Sequence, residues 1–271
     1  MTPAGPPPTA APAHHRPTAV AAGVLAVIVG TVIHEMLGHG TGCLLGGGVP
    51  AGWSISWSLC RGLGNDVVRN VPFQLGGNTL NVLAGAAALR LSHRASRGAD
   101  AWFLWCLGAL QLCSAGAYLL FEPLTGIGDF VAALQAVAPA AAVWIGVTLL
   151  GALVLAISLP VAARGLGPFV GPAAGRAETW KLVLMPWLLG SLGVMCVTAW
   201  MWASALPQFL VAAVWFHGAC SALVMLVPLF MRPAEAPATR TIEASPAYLT
   251  GGVGLALLTY VRLGAGMRYP W

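Results

Sequence analysis

Long apolar segments occupy most of this sequence and determine what it can fold into. A helix needs about 20 consecutive apolar residues to cross the hydrocarbon core of a bilayer. The segments that meet or approach this length are 19–41, 74–92, 101–121, 138–163, 180–204, 207–230 and 247–264. Only 8% of the 271 residues are charged, against about 25% in a typical soluble chain. The sequence therefore predicts an all-α polytopic membrane protein with six to seven transmembrane helices.

The sequence predicts a short N-terminal tail followed by a single domain. Residues 1–18 are rich in Pro and Ala and lack the basic start and apolar core of a signal peptide, so we expect a disordered N-terminal tail. Residues 19–271 are expected to form a single transmembrane helical domain. After the first apolar segment, Trp53, Ile55 and Trp57 alternate with small or polar residues, as in a strand. This pattern predicts a short β-hairpin at the membrane surface or a re-entrant element packed against protein.

The basic residues orient the chain and exclude one class of partner. They give a net charge of +5 but are scattered singly through short loops, so no nucleic-acid partner is expected. With the N-terminus in the cytoplasm, nine of the 13 basic residues fall on the cytoplasmic side, where Lys and Arg are usually in excess. We therefore predict an integral membrane protein with a cytoplasmic N-terminus. The abundant Ala and Gly suit a bacterial inner membrane.

The six cysteines do not form a recognisable pattern. No C-x-x-C pair is present, and at least four of the six lie within apolar runs, where small buried thiols are common. The sequence accordingly predicts neither a disulfide framework nor a cysteine-based zinc site.

A few ionisable residues remain within or beside the apolar segments, where a charge near the bilayer centre costs about 2.5–3.5 kcal/mol. They are His34, Glu35, His39, Glu122, Asp129 and His217. In the inferred orientation, His34 and His39 lie in the outer half of the first span. Asp129 lies in the outer link between the third and fourth spans, so it can reach the same depth. Two imidazoles and one carboxylate suit zinc, with a fourth position left for water.

The spacing of the two histidines is unusual for ligands on one helix. Ligands four residues apart share a face, but His34 and His39 are five apart and would diverge by about 140° on an ideal helix of 3.6 residues per turn. A π-bulge would bring them onto one face, and a break near Gly38 could swing His39 inward. Alternatively, a regular helix would pair Glu35 with His39, as ligands or through a buried hydrogen bond.

Three motifs together resemble the site-2 protease-like intramembrane zinc metalloproteases. "HEMLGHGTGCLLGGG" (34–48) is similar to the H-E-x-x-H stretch of that family with one residue inserted. "GGNTLNVLAG" (76–85) is similar to its Gly-Pro-x-x-Asn motif, with Asn78 in place of the proline. "LTGIGDF" (124–130) is similar to its late aspartate segment. The motifs follow the family's order and span residues 34–130, about a third of the chain.

The resemblance implies a role for each matching residue. His34, His39 and Asp129 would bind zinc, one ion per chain, and Glu35 would be the catalytic general base. Asn81 would hold the substrate backbone or the transition state. The implied reaction is hydrolysis of peptide bonds in membrane-embedded or peptide substrates.

Other parts of the sequence carry further expectations. The metalloprotease-like core is expected over about 19–163, with Asn78 and His217 as candidate supporting residues behind the ligands. The main alternative is a catalytically inactive scaffold of this type that packs against partner membrane subunits, which the altered histidine spacing and the abundant Gly and Ala favour. A carrier of haem, pigment or metal that uses the histidines as axial ligands is a third class. A transporter is a fourth, although no clear internal repeat supports it.

Overall fold

The computed structural model describes residues 13–54, 57–135, 141–170, 176–201, 218–231, 238–252, 254–255, 257–258 and 267–268. Ile55 and His217, which the sequence singled out, lie outside the described residues. The α-helices are α1 (Arg16–Val32), α2 (Gly40–Leu45), α3 (Val67–Ser92), α4 (Gly98–Thr125), α5 (Asp129–Gln135), α6 (Ala141–Leu166) and α7 (Arg176–Met201). The strands are β1 (Val49–Trp53), β2 (Ser58–Arg61) and β3 (Met267–Arg268).

The first helix is continuous from Arg16 to Leu45 and contains a π-helical segment, Ile33–His39, between α1 and α2. The first helix begins at Arg16, within the predicted N-terminal tail. The side chain of His15 accepts a hydrogen bond from the backbone N–H of Thr18, and a proline occupies the first turn. Both features favour a helix start, because the first turn has unpaired N–H groups.

Four helices in the described part of the chain are long and apolar enough to cross a membrane: Arg16–Leu45, Gly98–Thr125, Ala141–Phe169 and Ala177–Cys196. This confirms the membrane assignment but is fewer than the six to seven helices predicted. The predicted span at 74–92 lies in α3, which is not among these four helices. Within that range Gln74, Asn78 and Asn81 make the segment too polar.

The last two predicted spans, 207–230 and 247–264, fall partly outside the described residues. Their described parts form a short apolar helix ending at Phe230 and a π-helical turn, Ala247–Gly252. Apart from a small sheet, the described fold is all-α, as predicted.

Helix α4 lies at the centre of the helical bundle. Its most apolar window is 78% buried, against 22% for that of α6, and it packs against α1, α3 and α6. Trp102 and Trp105 are buried and stacked, and their indole N–H groups donate to the carbonyls of Ala19 on α1 and Ala162 on α6. These bonds satisfy the polar atoms of two large apolar side chains and hold three helices together.

The predicted hairpin after the first helix is confirmed. β1 pairs antiparallel with β2, and its other edge pairs with β3, so that β1 is the central strand. A disulfide joins Cys43 in α2 to Cys60 in β2, which contradicts the expectation that the cysteines form no disulfide. The two cysteines are 17 residues apart and come together because the hairpin folds back onto the first helix.

Candidate metal centre

The π-helical segment decides how His34 and His39 are arranged. Its wider turn, with hydrogen bonds from residue i to i+5, accommodates one extra residue, and the two imidazole centroids lie 5.0 Å apart. Of the alternatives left open by the sequence, the π-bulge is the one observed, because the helix continues through Gly38 to Leu45 instead of breaking.

Glycines let α3 approach the π segment closely. A Cβ atom on Gly38 would lie 2.5 Å from Cα of Gly77 and 2.8 Å from the carbonyl oxygen of Gly76. A Cβ atom on Gly77 would lie 2.6 Å from Nε2 of His34. The missing side chain on Gly77 therefore leaves open the space beside that nitrogen.

Asp129 completes a group of three possible metal ligands. Its Oδ2 atom lies 3.4 Å from Nε2 of His34 and 3.3 Å from Nε2 of His39. One potential ligand atom from each residue lies within 4.8 Å of the other two. Nitrogen and oxygen ligands about 2.0–2.1 Å from a tetrahedral ion are about 3.3 Å apart, so these two separations fit such an ion.

The hydrogen bonding of His39 also fits a metal ligand. Its Nδ1–H donates to the backbone carbonyl of Phe73 at 2.7 Å. This bond fixes the tautomer in which Nε2 carries the lone pair, and Nε2 is the atom that faces Asp129. His34, His39 and Asp129 could therefore hold a metal ion.

Glu122 positions Asp129, a role that sequence reasoning missed. Its side chain is fully buried at the end of α4, and Oε2 accepts a hydrogen bond of 2.7 Å from the backbone N–H of Phe130. It thereby caps the first turn of α5, where Asp129 lies. Gly128 has a positive φ of 129°, and a Cβ there would overlap the Glu122 carboxyl group. The signal available in the sequence was an acidic residue preceding a Gly-x-Gly-Asp turn.

The ligand group borders a cavity of about 230 Å³. Its polar lining includes His34, Glu35, His39, Ser58, Gln74 and Asp129. This volume exceeds the space needed by one water molecule, which is about 30 Å³. The cavity can therefore admit water together with part of a larger molecule.

Glu35 lies in this cavity beside the ligands. The hydroxyl of Ser58 on β2 is 2.6 Å from the backbone carbonyl oxygen of Glu35 and 3.0 Å from its Oε2, so it can donate to either. The hairpin thus contacts the residue expected to act as a base. Nothing in the sequence around Ser58 distinguished it from the other serines of this segment.

The two asparagines of α3 are buried, and they contact α4. Asn81 accepts a hydrogen bond of 3.0 Å from Nε2 of Gln111, and Nδ2 of Asn78 donates to the carbonyl of Ala115. Asn81 also lines a second, smaller cavity of about 40 Å³, which His34 and Glu35 line as well. The structure therefore places Asn81 near His34 and Glu35, where it lines the same small cavity.

These features define a class of site: two histidines and one aspartate that could hold a metal ion, with a carboxylate beside them, inside a bundle of apolar helices. No protein-family model, curated protein or solved structure matches the chain. The resemblance to site-2 protease-like enzymes consequently rests on the three motifs alone.

Removing the carboxyl group of Glu122 should weaken metal binding. In Glu122→Ala the N-terminus of α5 loses its cap, and we expect the affinity for a metal ion to fall about 10- to 100-fold, as for other residues that orient ligands. Glu122→Gln keeps one acceptor oxygen and should lose less. Affinity is measured by zinc competition with a chromophoric chelator, with the exposed Glu178→Gln as control. Equal affinity in all four proteins would exclude this role.

Proposed function

We propose that the protein is an intramembrane zinc metalloprotease that hydrolyses peptide bonds of membrane-embedded substrates. The observation that carries this proposal is the π segment, which turns His34 and His39 toward Asp129 and leaves Glu35 in the same cavity. Zinc is the metal we assign, since two imidazoles and one carboxylate are a common ligand set for this ion.

The roles of the chain's own residues follow from their contacts. A bound zinc ion would act as a Lewis acid that makes water more acidic and polarises a carbonyl group. Glu35 takes a proton from a water molecule in the cavity and passes it to the leaving amine. Ser58 holds Glu35, and the carbonyl of Phe73 holds His39. Asn81, bonded to Gln111, supports the site from behind.

The substrate must be extended at the bond that is cut, because a helix keeps its carbonyls in internal hydrogen bonds. β1 is paired on both sides, by β2 and β3. Among the described strands, the outer edges of β2 and β3 are therefore available to a further strand, and of these two strands β2 is the one that contacts Glu35. β2 begins at Ser58, next to Glu35, so a strand added there would pass close to the base.

The proposed setting is a bacterial inner membrane with the N-terminus in the cytoplasm. The excess of Lys and Arg in the inferred cytoplasmic loops supports this orientation. It places the hairpin and the metal centre toward the outer face.

Zinc content tests the proposal. Purified wild-type protein is expected to contain about one zinc ion per chain, and His34→Ala, His39→Ala and Asp129→Ala should each lose it, because two remaining ligands bind zinc weakly. His93→Ala is the matched control. It removes an exposed histidine just after the C-terminal end of α3 and should keep its zinc. A wild-type chain without zinc would overturn the proposal and favour the non-catalytic membrane subunit.

A further inference from the structure

The disulfide connects the metal-binding helix to the β-hairpin. Cys43 is fully buried in α2, four residues after the ligand His39. Its partner, Cys60, lies in β2. The bond therefore fastens β2 directly beside the metal centre.

Ser58 lies on the same face of β2 as Cys60. Side chains two residues apart in a strand point the same way, and both residues are partly buried whereas Leu59 and Arg61 are exposed. A bond that draws Cys60 onto the first helix thus also directs Ser58 toward it. The Ser58 hydroxyl reaches both the carbonyl and the carboxylate of Glu35.

The metal ligands do not depend on the hairpin in this way. His39 is oriented by Phe73 on α3, and Asp129 by Glu122 on α4. The π segment itself packs against α3 through Gly38. Metal binding and the placement of Glu35 therefore rest on different parts of the fold.

We propose that the Cys43–Cys60 disulfide and Ser58 together position Glu35, so that hydrolysis requires the disulfide whereas metal binding does not. Ser58 is a positioning residue, because it acts through Glu35. The effect on hydrolysis rests on the proposed function. The attachment of the hairpin to the first helix by the disulfide does not.

The disulfide also indicates on which side of the membrane the site opens and which substrates can reach it. Disulfides persist in oxidising compartments and are reduced in the cytoplasm. The hairpin and the cavity therefore open on the outer side of the membrane, in agreement with the orientation from the basic residues. The substrates are membrane proteins whose scissile bond lies in the outer half of the bilayer or just outside it.

The first measurement does not depend on proteolytic activity. Hydrogen exchange of 49–53 and 58–61 is compared in wild type, in the double variant Cys43→Ser/Cys60→Ser and in Cys196→Ser, which removes an exposed unpaired cysteine. We expect exchange in the hairpin to become at least about 10-fold faster in the double variant only, because local opening is easier without the link. Zinc content should stay unchanged in all three proteins.

The second measurement is cleavage of a reconstituted single-span membrane protein. Ser58→Ala is expected to lower kcat about 10- to 100-fold with KM and zinc content unchanged, the usual effect of losing an orienting partner. Ser58→Thr keeps the hydroxyl and should restore most of the activity. The double cysteine variant should lose activity to a similar extent.

Each outcome separates the inference from the proposed function. Unchanged hairpin exchange in the double variant, loss of zinc along with the disulfide, or a fully active Ser58→Ala protein would overturn the inference. A wild-type protein that binds zinc but cleaves no substrate would overturn the proposed function, while the exchange measurement would still decide whether the disulfide fastens the hairpin.

Discussion

Glu35→Gln is expected to retain zinc and to lower the rate of cleavage about 10²- to 10⁴-fold. The substitution keeps the size of the side chain and an oxygen that can accept from Ser58, so the fold and the ligands are unaffected. Glutamine cannot accept a proton from water, and general base catalysis contributes about this factor in other enzymes.

Cleavage is measured with a tagged single-span protein in vesicles, and the products are identified by mass spectrometry. Glu178→Gln, an exposed carboxylate that pairs with Arg16 and Lys181, is the control and should behave as wild type. Cleavage by Glu35→Gln at the wild-type rate would exclude Glu35 as the base.

Deletion of Leu37 is expected to leave zinc binding and the disulfide intact, although it shortens the motif. Leu37 lies inside the π segment and is 52% exposed, so its deletion removes no core side chain. With one residue fewer, ordinary i to i+4 hydrogen bonds can span the same turn. His34 and His39 then remain on one face, and Gly38 and Cys43 keep their positions against Gly77 and Cys60.

The matched variant inserts one alanine after Leu37. This insertion adds about 100° of rotation between the two histidines, and we expect it to abolish zinc binding. Zinc content and the state of the Cys43–Cys60 disulfide are measured on both proteins. A folded deletion variant with its disulfide but without zinc would show that the π geometry itself is needed for the metal.

The candidate ligands could be recognised from the sequence because ionisable side chains stand out within apolar segments. His34, Glu35 and His39 lie in an apolar run where ionisable groups are unfavourable, and Asp129 lies where the connectivity can bring it to the same depth. The hairpin could also be predicted, since its alternating pattern stands between two apolar segments. Except for Asp129, which the predicted topology places, these inferences depend on the chemistry of residues that are close in sequence.

Other features could not be found in this way. A five-residue spacing is compatible with a bulge, a kink or a regular helix, and packing of Gly38 on α3 accompanies the bulge that is observed. In the described residues fewer membrane helices are found than predicted, because for α3 length was weighed above its polar residues. The disulfide was missed because its two cysteines carry no local pattern.

The sequence by itself determined the membrane class, the helical architecture and the residue types available to bind a metal, because transfer of side chains into a bilayer depends mainly on composition and length. Only the tertiary structure decided that His34, His39 and Asp129 meet, that Glu122 supports Asp129, and that Ser58 reaches Glu35. Those contacts join separate helices and a hairpin, and their distances depend on how the whole bundle packs.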